Sequence, residues 1–214
     1  MADCCEDKAC AIDVLRERQG GTLRIVLAIN AGMFLIVLAA GLVAGSSALL
    51  ADSLDNLGDA LTYALSLYAV ARTARTKARV ALFKGFLILA AGIFVVGQVV
   101  YKLLHPAVPI FEAMGMIAIL ALVGNGACLA LLWKHRHEDV NMSSVWECSR
   151  NDIASNIAVM VAAGAVWLLQ SGWPDVIAGG LLACLFLRSG FNVLTNALRE
   201  LRTAGQVSGT HQPG

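Results

Sequence analysis

The chain has 214 residues, of which 58% are hydrophobic and 14% charged, and its mean hydropathy is +0.71. This composition excludes a soluble domain, which must cover itself with polar surface, and predicts an integral membrane protein. The formal net charge of +1 argues against a nucleic-acid partner, because binding one requires a basic face.

Several segments are long and apolar enough to cross a bilayer, for which about 20 residues are needed. The sequence predicts six transmembrane helices, at residues 25–44, 48–71, 80–104, 110–133, 144–169 and 176–198. We therefore expect an all-α protein with one transmembrane domain (25–202), an N-terminal arm (1–24) and a C-terminal tail of disordered composition (203–214). A removable signal peptide is not predicted, because no A-x-A cleavage site follows the first span.

The distribution of Lys and Arg predicts the orientation of these spans. Basic residues are concentrated in the arm and in the second and fourth loops, whereas the first and fifth loops contain none. Because basic short loops remain on the cytoplasmic side, both termini are predicted to be cytoplasmic. A bacterial inner membrane is the simplest host.

The N-terminal arm contains three cysteines, Cys4, Cys5 and Cys10, with acidic residues among them. Thiolates bind zinc, cadmium and cuprous ions well, so the arm is a candidate for peripheral metal binding. The alternative is a flexible leader with incidental thiols, since this spacing is not that of a zinc finger. The six cysteines of the chain are expected to be free thiols, because those of the arm fall on the reducing side and the others fall within spans.

The second span carries three acids, Asp52, Asp55 and Asp59. An ionised acid in hydrocarbon costs at least about 2.5 kcal/mol, so this span needs a compensating partner such as a metal ion or a proton. Asp55 and Asp59 are four residues apart and therefore share one helix face. The structural alternative is pairing with Arg150 and Arg188. Two arginines cannot neutralise all the acids of the spans, which are Asp52, Asp55, Asp59, Glu147 and Asp152.

The fifth span repeats this spacing with Cys148 and Asp152. Packed face to face, the two pairs would present three oxygen ligands and one sulfur, a set suited to a tetrahedral divalent ion. Secondary candidates for this site are Asp52, Glu147 and Asn156. In the fourth loop, His135 and His137 are candidates for peripheral metal binding, the alternative being that they are simply solvated.

The segment from Ser46 to Asp59 resembles the cation diffusion facilitators, six-helix exporters of zinc and related divalent metals, whose second helix carries S-x-A-L-L-A-D-S-x-[HD]-x-x-x-D. The resemblance covers most of the chain and implies that Asp55 and Asp59 are metal ligands. It also aligns Asp152 with the second member of the family's His-x-x-x-Asp pair, and Cys148 stands in place of the histidine. A thiolate is softer than imidazole and favours zinc or cadmium over manganese or magnesium. If Cys148 faces away, Glu147 or Asn151 is its replacement.

Typical members of that family carry a soluble cytoplasmic domain after the sixth helix, so the chain is expected to be a short form without it. A homodimer would then form through the transmembrane helices. Small residues that permit close helix contact are available in the third and sixth spans, namely Gly85, Gly92, Gly97, Gly179, Gly180 and Ala183.

Together these features predict a secondary active transporter rather than an enzyme. It would export a divalent transition metal, Zn²⁺ or Cd²⁺ first and Co²⁺, Fe²⁺ or Mn²⁺ as further candidates, by cation:proton antiport, because protons compete for the same carboxylates. Its expected partners are metal ions, protons and the lipid bilayer, with no cofactor beyond the transported ion. Two alternatives stay open: a membrane protein that senses or binds metal without transporting it, and a thiol oxidoreductase, which needs paired reactive thiols near an outer face.

Overall fold

The fold was examined in a computed structural model, which describes the backbone of residues 2–69, 74–133 and 142–209. Side chains are described for residues 21–22, 24–65, 67, 79, 82–131 and 152–199. Within these ranges the chain forms six helices: α1 (Ala2–Ala44), α2 (Ser47–Ala69), α3 (Ala74–Leu104), α4 (Phe111–Trp133), α5 (Met142–Leu169) and α6 (Trp173–Gly209). The bounds of α2, α4 and α5 lie within two residues of the predicted spans, and an all-helical architecture is confirmed for the described residues.

Three of the helices are longer than the predicted spans. α1 begins at Ala2 and runs unbroken into the first span, and α3 begins at Ala74, six residues before the predicted third span. α6 continues through residues 203–209, part of the predicted tail. Extending an existing helix adds a hydrogen bond for each residue without a new nucleation cost, and the arm is rich in Ala, Leu, Arg and Glu, which favour a helix.

Five helices in the described ranges are long and apolar enough to cross a membrane, and α2, with its three acids, is not among them. Its 23 residues nevertheless measure about 34 Å. Every residue from 46 to 54 is buried, and α2 contacts α1, α3, α5 and α6. A helix enclosed by other helices does not need an apolar surface toward lipid, which explains how α2 accommodates polar residues. That α2 is a sixth span remains a prediction.

The outside of the bundle is apolar. On α3 alone, Phe83, Phe86 and Ile93 are each at least 60% exposed. On a soluble protein such a surface would be an aggregation hazard or a docking face, whereas in a bilayer it contacts acyl chains. Together with the length of the helices, this surface indicates an integral membrane protein.

The turn between α1 and α2 is fixed by hydrogen bonds. Gly45 adopts a φ of 60°, in the left-handed region that favours glycine. The backbone N–H of Ser46 donates to the carbonyl of Gly41 at 2.9 Å, and that of Gly45 donates to Leu42 at 3.3 Å. These two bonds form a Schellman motif that ends α1. The hydroxyl of Ser46 then accepts the N–H of Leu49 at 3.1 Å and caps α2.

The N-terminus of α2 is also capped from another helix, by the fully buried Asp175 of α6. Its carboxylate accepts the backbone N–H groups of Ser47 at 2.8 Å and Ala48 at 3.0 Å and the hydroxyl of Ser46 at 2.6 Å. The ammonium of Lys102, near the end of α3, donates to the same carboxylate at 2.8 Å and also to the carbonyl of Gly45. This group, which we call the Asp175 clamp, joins α2, α3 and α6 at the end of the bundle remote from the chain termini.

Three of the small residues of the third and sixth spans serve close contacts within the chain. A Cβ at Gly85 or Gly92 would meet Leu194 or Leu187 of α6 at 3.2 Å and 2.7 Å, respectively, and a Cβ at Gly179 would meet the backbone of Ser47 at 2.6 Å. The interpretation of these three glycines as contacts between two copies is therefore wrong, because α3, α6 and α2 already use them. A homodimer through the transmembrane helices remains a prediction.

The contact between Gly179 and α2 leads to a first prediction. Gly179→Ala should destabilise the protein by about 1–3 kcal/mol, because the new methyl group has backbone, and not a movable side-chain end, in its way. Gly180→Ala is the matched control, since its Cβ would meet only Val99, at an ordinary 3.8 Å. Denaturation of the two purified variants in detergent measures the difference, and equal midpoints would contradict this close approach of α6 to α2.

Candidate metal site

A cavity of about 660 Å³ opens among α2, α3, α5 and α6. Its walls are mostly apolar, contributed largely by α5 and α6. The acids Asp55 and Asp59 of α2 and Asp152 of α5 all line it, and each of the three is half-buried. The cavity therefore combines an apolar lining with three carboxylates from two different helices.

The helices bring these carboxylates to one place for simple reasons. Asp55 and Asp59 are one helical turn apart, so both point from the same face of α2. α5 packs against α2, and Asp152 of α5 lines the same cavity as Asp55 and Asp59. The sequence-based expectation that acids of the second and fifth spans share one site is consistent with this arrangement.

The carboxylates share a cavity but do not form a closed metal cage. Within the described residues, no group of three or more His, Cys, Asp or Glu side chains is arranged to hold a metal ion. A cation bound by all three acids would thus require their carboxylates to come closer to one another than they do here. The ligand set remains a prediction.

Two of the secondary candidates lie behind the cavity. Asp52 and Asn156 are both fully buried, and neither belongs to the lining. Neither carboxylate oxygen of Asp52 accepts a hydrogen bond from the described part of the chain, and the same holds for both polar side-chain atoms of Asn156. Both residues are therefore buried polar groups outside the cavity lining to which the three acids belong.

The remaining candidates fall outside the described side chains. Cys148, Glu147 and Asn151 lie on the helical backbone of α5, but their side chains are not described. The same is true of the side chains of Cys4, Cys5 and Cys10 on α1, and residues 134–141, which contain His135 and His137, are not described at all. The proposed roles of these residues remain predictions.

The cysteines that can be checked are thiols, as expected. Cys128 is buried and Cys184 is exposed, and neither forms a disulfide. The side-chain amide of Asn30 donates to the sulfur of Cys128 at 3.5 Å and to the carbonyl of Val26 at 2.9 Å. Asn30 therefore joins α1 to α4, in the helix-linking role usual for a polar residue within a span.

Sequence reasoning missed one residue of this cavity, Lys84 of α3. It is only 7% exposed, lines the cavity with the three acids, and its ammonium contacts the hydroxyl of Thr62. The sequence does contain a sign of its importance: Lys84 lies four residues inside the predicted third span, where an ionisable residue is costly. Arg188, considered as a counter-charge instead, is exposed and does not line the cavity.

Comparison with known proteins supports this interpretation of the fold. The cation efflux transmembrane domain family matches residues 23–202. The chain is 27% identical over 208 residues to the zinc transporter ZitB of Yersinia pestis, covering 89% of this chain and 66% of that protein. It is 25% identical over 215 residues to a cadmium, cobalt and zinc/H(+)-K(+) antiporter of Bacillus velezensis, covering 89% and 67%.

A further relative is the metal cation efflux system protein CzcD of Cupriavidus metallidurans, with 25% identity over 202 residues, 84% of this chain and 63% of that protein. The chain thus spans about two thirds of the length of these curated relatives. The family match includes all of α2 to α5, with the acids of α2, and most of the apolar part of α1 and α6. The chain is a member of the cation efflux family of integral membrane proteins.

Proposed function

We propose that this protein exports a divalent transition-metal ion across the membrane in exchange for protons, with Zn²⁺ and Cd²⁺ as the preferred ions. The observation that carries the proposal is the meeting of Asp55, Asp59 and Asp152 in one cavity. Acids within membrane helices are retained for ion or proton pathways, because hydrocarbon makes them costly otherwise. Relatives named as zinc transporters and as an antiporter of cadmium, cobalt and zinc support the same class of cargo.

Cys148 is the fourth ligand in this proposal. It precedes Asp152 by one helical turn, so the two residues share a face of α5. A sulfur ligand among oxygen ligands favours zinc and cadmium over harder ions such as magnesium. This composition of ligands is the reason for ranking zinc and cadmium first.

Protons would drive the exchange by competing for the ligands. A carboxylate or a thiol must lose its proton to bind a metal ion, so metal affinity falls as the proton concentration rises. Metal would bind from the cytosol, where both termini are predicted to lie, and protons entering from the other side would displace it. In transporters, access alternates by rocking one group of helices against another. The closer approach of the three carboxylates that a shared metal ion requires would be part of such a movement.

Transport by the full chain in proteoliposomes tests the proposal. With a zinc-sensitive dye inside vesicles whose lumen is acidic, external Zn²⁺ should enter faster than into vesicles without a pH gradient. Cadmium should behave in the same way, and the uptake rates of Co²⁺, Fe²⁺ and Mn²⁺ give the order of selectivity. A chain that binds zinc with no gradient-driven uptake would be a sensor or a binding partner rather than an exporter. A bacterial inner membrane is the proposed location, since the relatives reported above are bacterial.

A further inference from the structure

The cavity contains a cation of its own, the side chain of Lys84. Only 7% of this residue is exposed, although it lies on a helix whose outer face is strongly apolar. Its ammonium contacts Oγ1 of Thr62, a residue one helical turn beyond Asp59 on α2. The hydroxyl of Thr62 itself donates to the carbonyl of Gly58 at 2.7 Å, which leaves its lone pairs to accept from Lys84.

A hydroxyl partner does not explain why a lysine is buried here. Withdrawing an ammonium from water costs several kcal/mol, and a neutral acceptor compensates little of that cost. A buried cation is retained where negative charge surrounds it, and three carboxylates line the same cavity. If Lys84 only filled space, an apolar residue at this position would avoid the free-energy cost of burying a charge.

We propose that Lys84 is a tethered counter-cation that lowers the net negative charge of the metal site. Asp55, Asp59 and Asp152 together carry three negative charges when ionised, and the ammonium of Lys84 offsets one of them. The carboxylates then contribute two net negative charges, and the thiol of Cys148, which ionises when it binds the metal, contributes a third.

Lys84 also keeps the metal from binding too tightly. Like charges repel strongly in a cleft with low-dielectric walls, so an ammonium next to the site raises the free energy of the bound ion. A transporter needs such weakening, because an ion held too firmly is not released at the far side. This inference rests on the proposed transport function and identifies Lys84 as a residue that determines affinity and turnover without being a metal ligand.

The test is Lys84→Met in the full chain, with two measurements. Calorimetric binding of Zn²⁺ should become tighter by about tenfold or more, because the repulsive charge is gone. Zinc uptake into proteoliposomes should show a lower KM together with a lower maximal rate, because release becomes slower. Lys84→Arg keeps the charge and should preserve the wild-type affinity within about threefold.

Two further variants separate charge from packing. Ile93→Met changes an exposed residue of α3 outside the cavity without a change of charge, and it should leave both KM and maximal rate close to wild type. Lys84→Gln can still donate to Thr62, so it replaces Lys84→Met if that variant does not fold. Unchanged or weaker zinc binding in a folded, uncharged Lys84 variant would overturn the role of Lys84.

The failure of this inference is distinguishable from a failure of the proposed function. If the wild-type chain neither binds nor transports zinc or cadmium, the proposed function is wrong. If the wild type transports zinc and Lys84→Met has the same affinity, KM and maximal rate, only the role of Lys84 is wrong. A lower KM with a lower maximal rate supports both.

Discussion

Replacing Asp59 by asparagine is expected to reduce zinc transport by at least about a hundredfold, because it removes a direct ligand, and loss of a residue that merely orients a ligand already costs 10–100-fold. Asparagine has the size of aspartate, so the shape of the cavity is kept while the negative charge is lost. Asp59 is half-buried and lines the cavity. The variant should therefore fold and insert as the wild type does.

Uptake of Zn²⁺ into proteoliposomes, with the amount of inserted protein measured in the same vesicles, checks this expectation. Glu112→Gln is the matched control: it also exchanges a carboxylate for an amide, but Glu112 is exposed in the first turn of α4 and does not line the cavity. Asp55→Asn and Asp152→Asn should lose transport as Asp59→Asn does. Wild-type rates in all three would remove the cavity acids from the transport pathway.

The helices and the location of the acids could be predicted from the sequence because both depend on short-range patterns. Runs of about 20 apolar residues have one stable arrangement in a bilayer, and the observed bounds of α2, α4 and α5 follow them closely. Asp55 and Asp59 share a face by helical geometry alone. That Asp152 would approach the same cavity followed from the spacing of the fifth span and from the resemblance to the cation diffusion facilitators.

Other features depend on packing that the pattern does not contain. Asp52 lies seven residues before Asp59 and therefore on the same face of α2, yet it does not line the cavity, because every residue of this part of the chain, from 46 to 54, is buried by neighbouring helices. The sequence pattern placed Lys84 within an apolar span and gave it no role, because the acids that share its cavity are on other helices. The prediction that Gly85, Gly92 and Gly179 form contacts between two copies failed for the same reason: a small residue permits a close approach but does not say by which helix.

The Asp175 clamp is a feature of packing that determines a local feature, the start of α2. It is formed by residues of α6, α3 and the α1–α2 turn. A carboxylate at a helix N-terminus satisfies backbone N–H groups that have no partner within the helix, and it interacts favourably with the helix dipole. α2 carries Asp55 and Asp59, so the clamp fixes the end of the helix that supplies two cavity acids.

Asp175→Ala is therefore expected to destabilise the protein by about 3–5 kcal/mol, the usual consequence of removing one partner of a buried ion pair. The substitution leaves the ammonium of Lys102, the hydroxyl of Ser46 and the N–H groups of Ser47 and Ala48 without their common acceptor. Denaturation of the purified protein in detergent measures the loss. Glu112→Ala, at an exposed acid in the first turn of α4, serves as the control and should change stability by less than about 0.5 kcal/mol.

A double variant decides how much of the loss comes from the stranded charge. In Asp175→Ala combined with Lys102→Met, no ammonium is left without its carboxylate, so the double variant should be more stable than Asp175→Ala alone. If instead the stability lost in the double variant equals the sum of the losses in Asp175→Ala and Lys102→Met, the two side chains have no interaction energy. The cap on Ser47 and Ala48 then accounts for the stabilisation by Asp175. If Asp175→Ala is as stable as Glu112→Ala, the clamp does not fix α2, and the position of Asp55 and Asp59 must be set by the packing of α2 against α1 and α5.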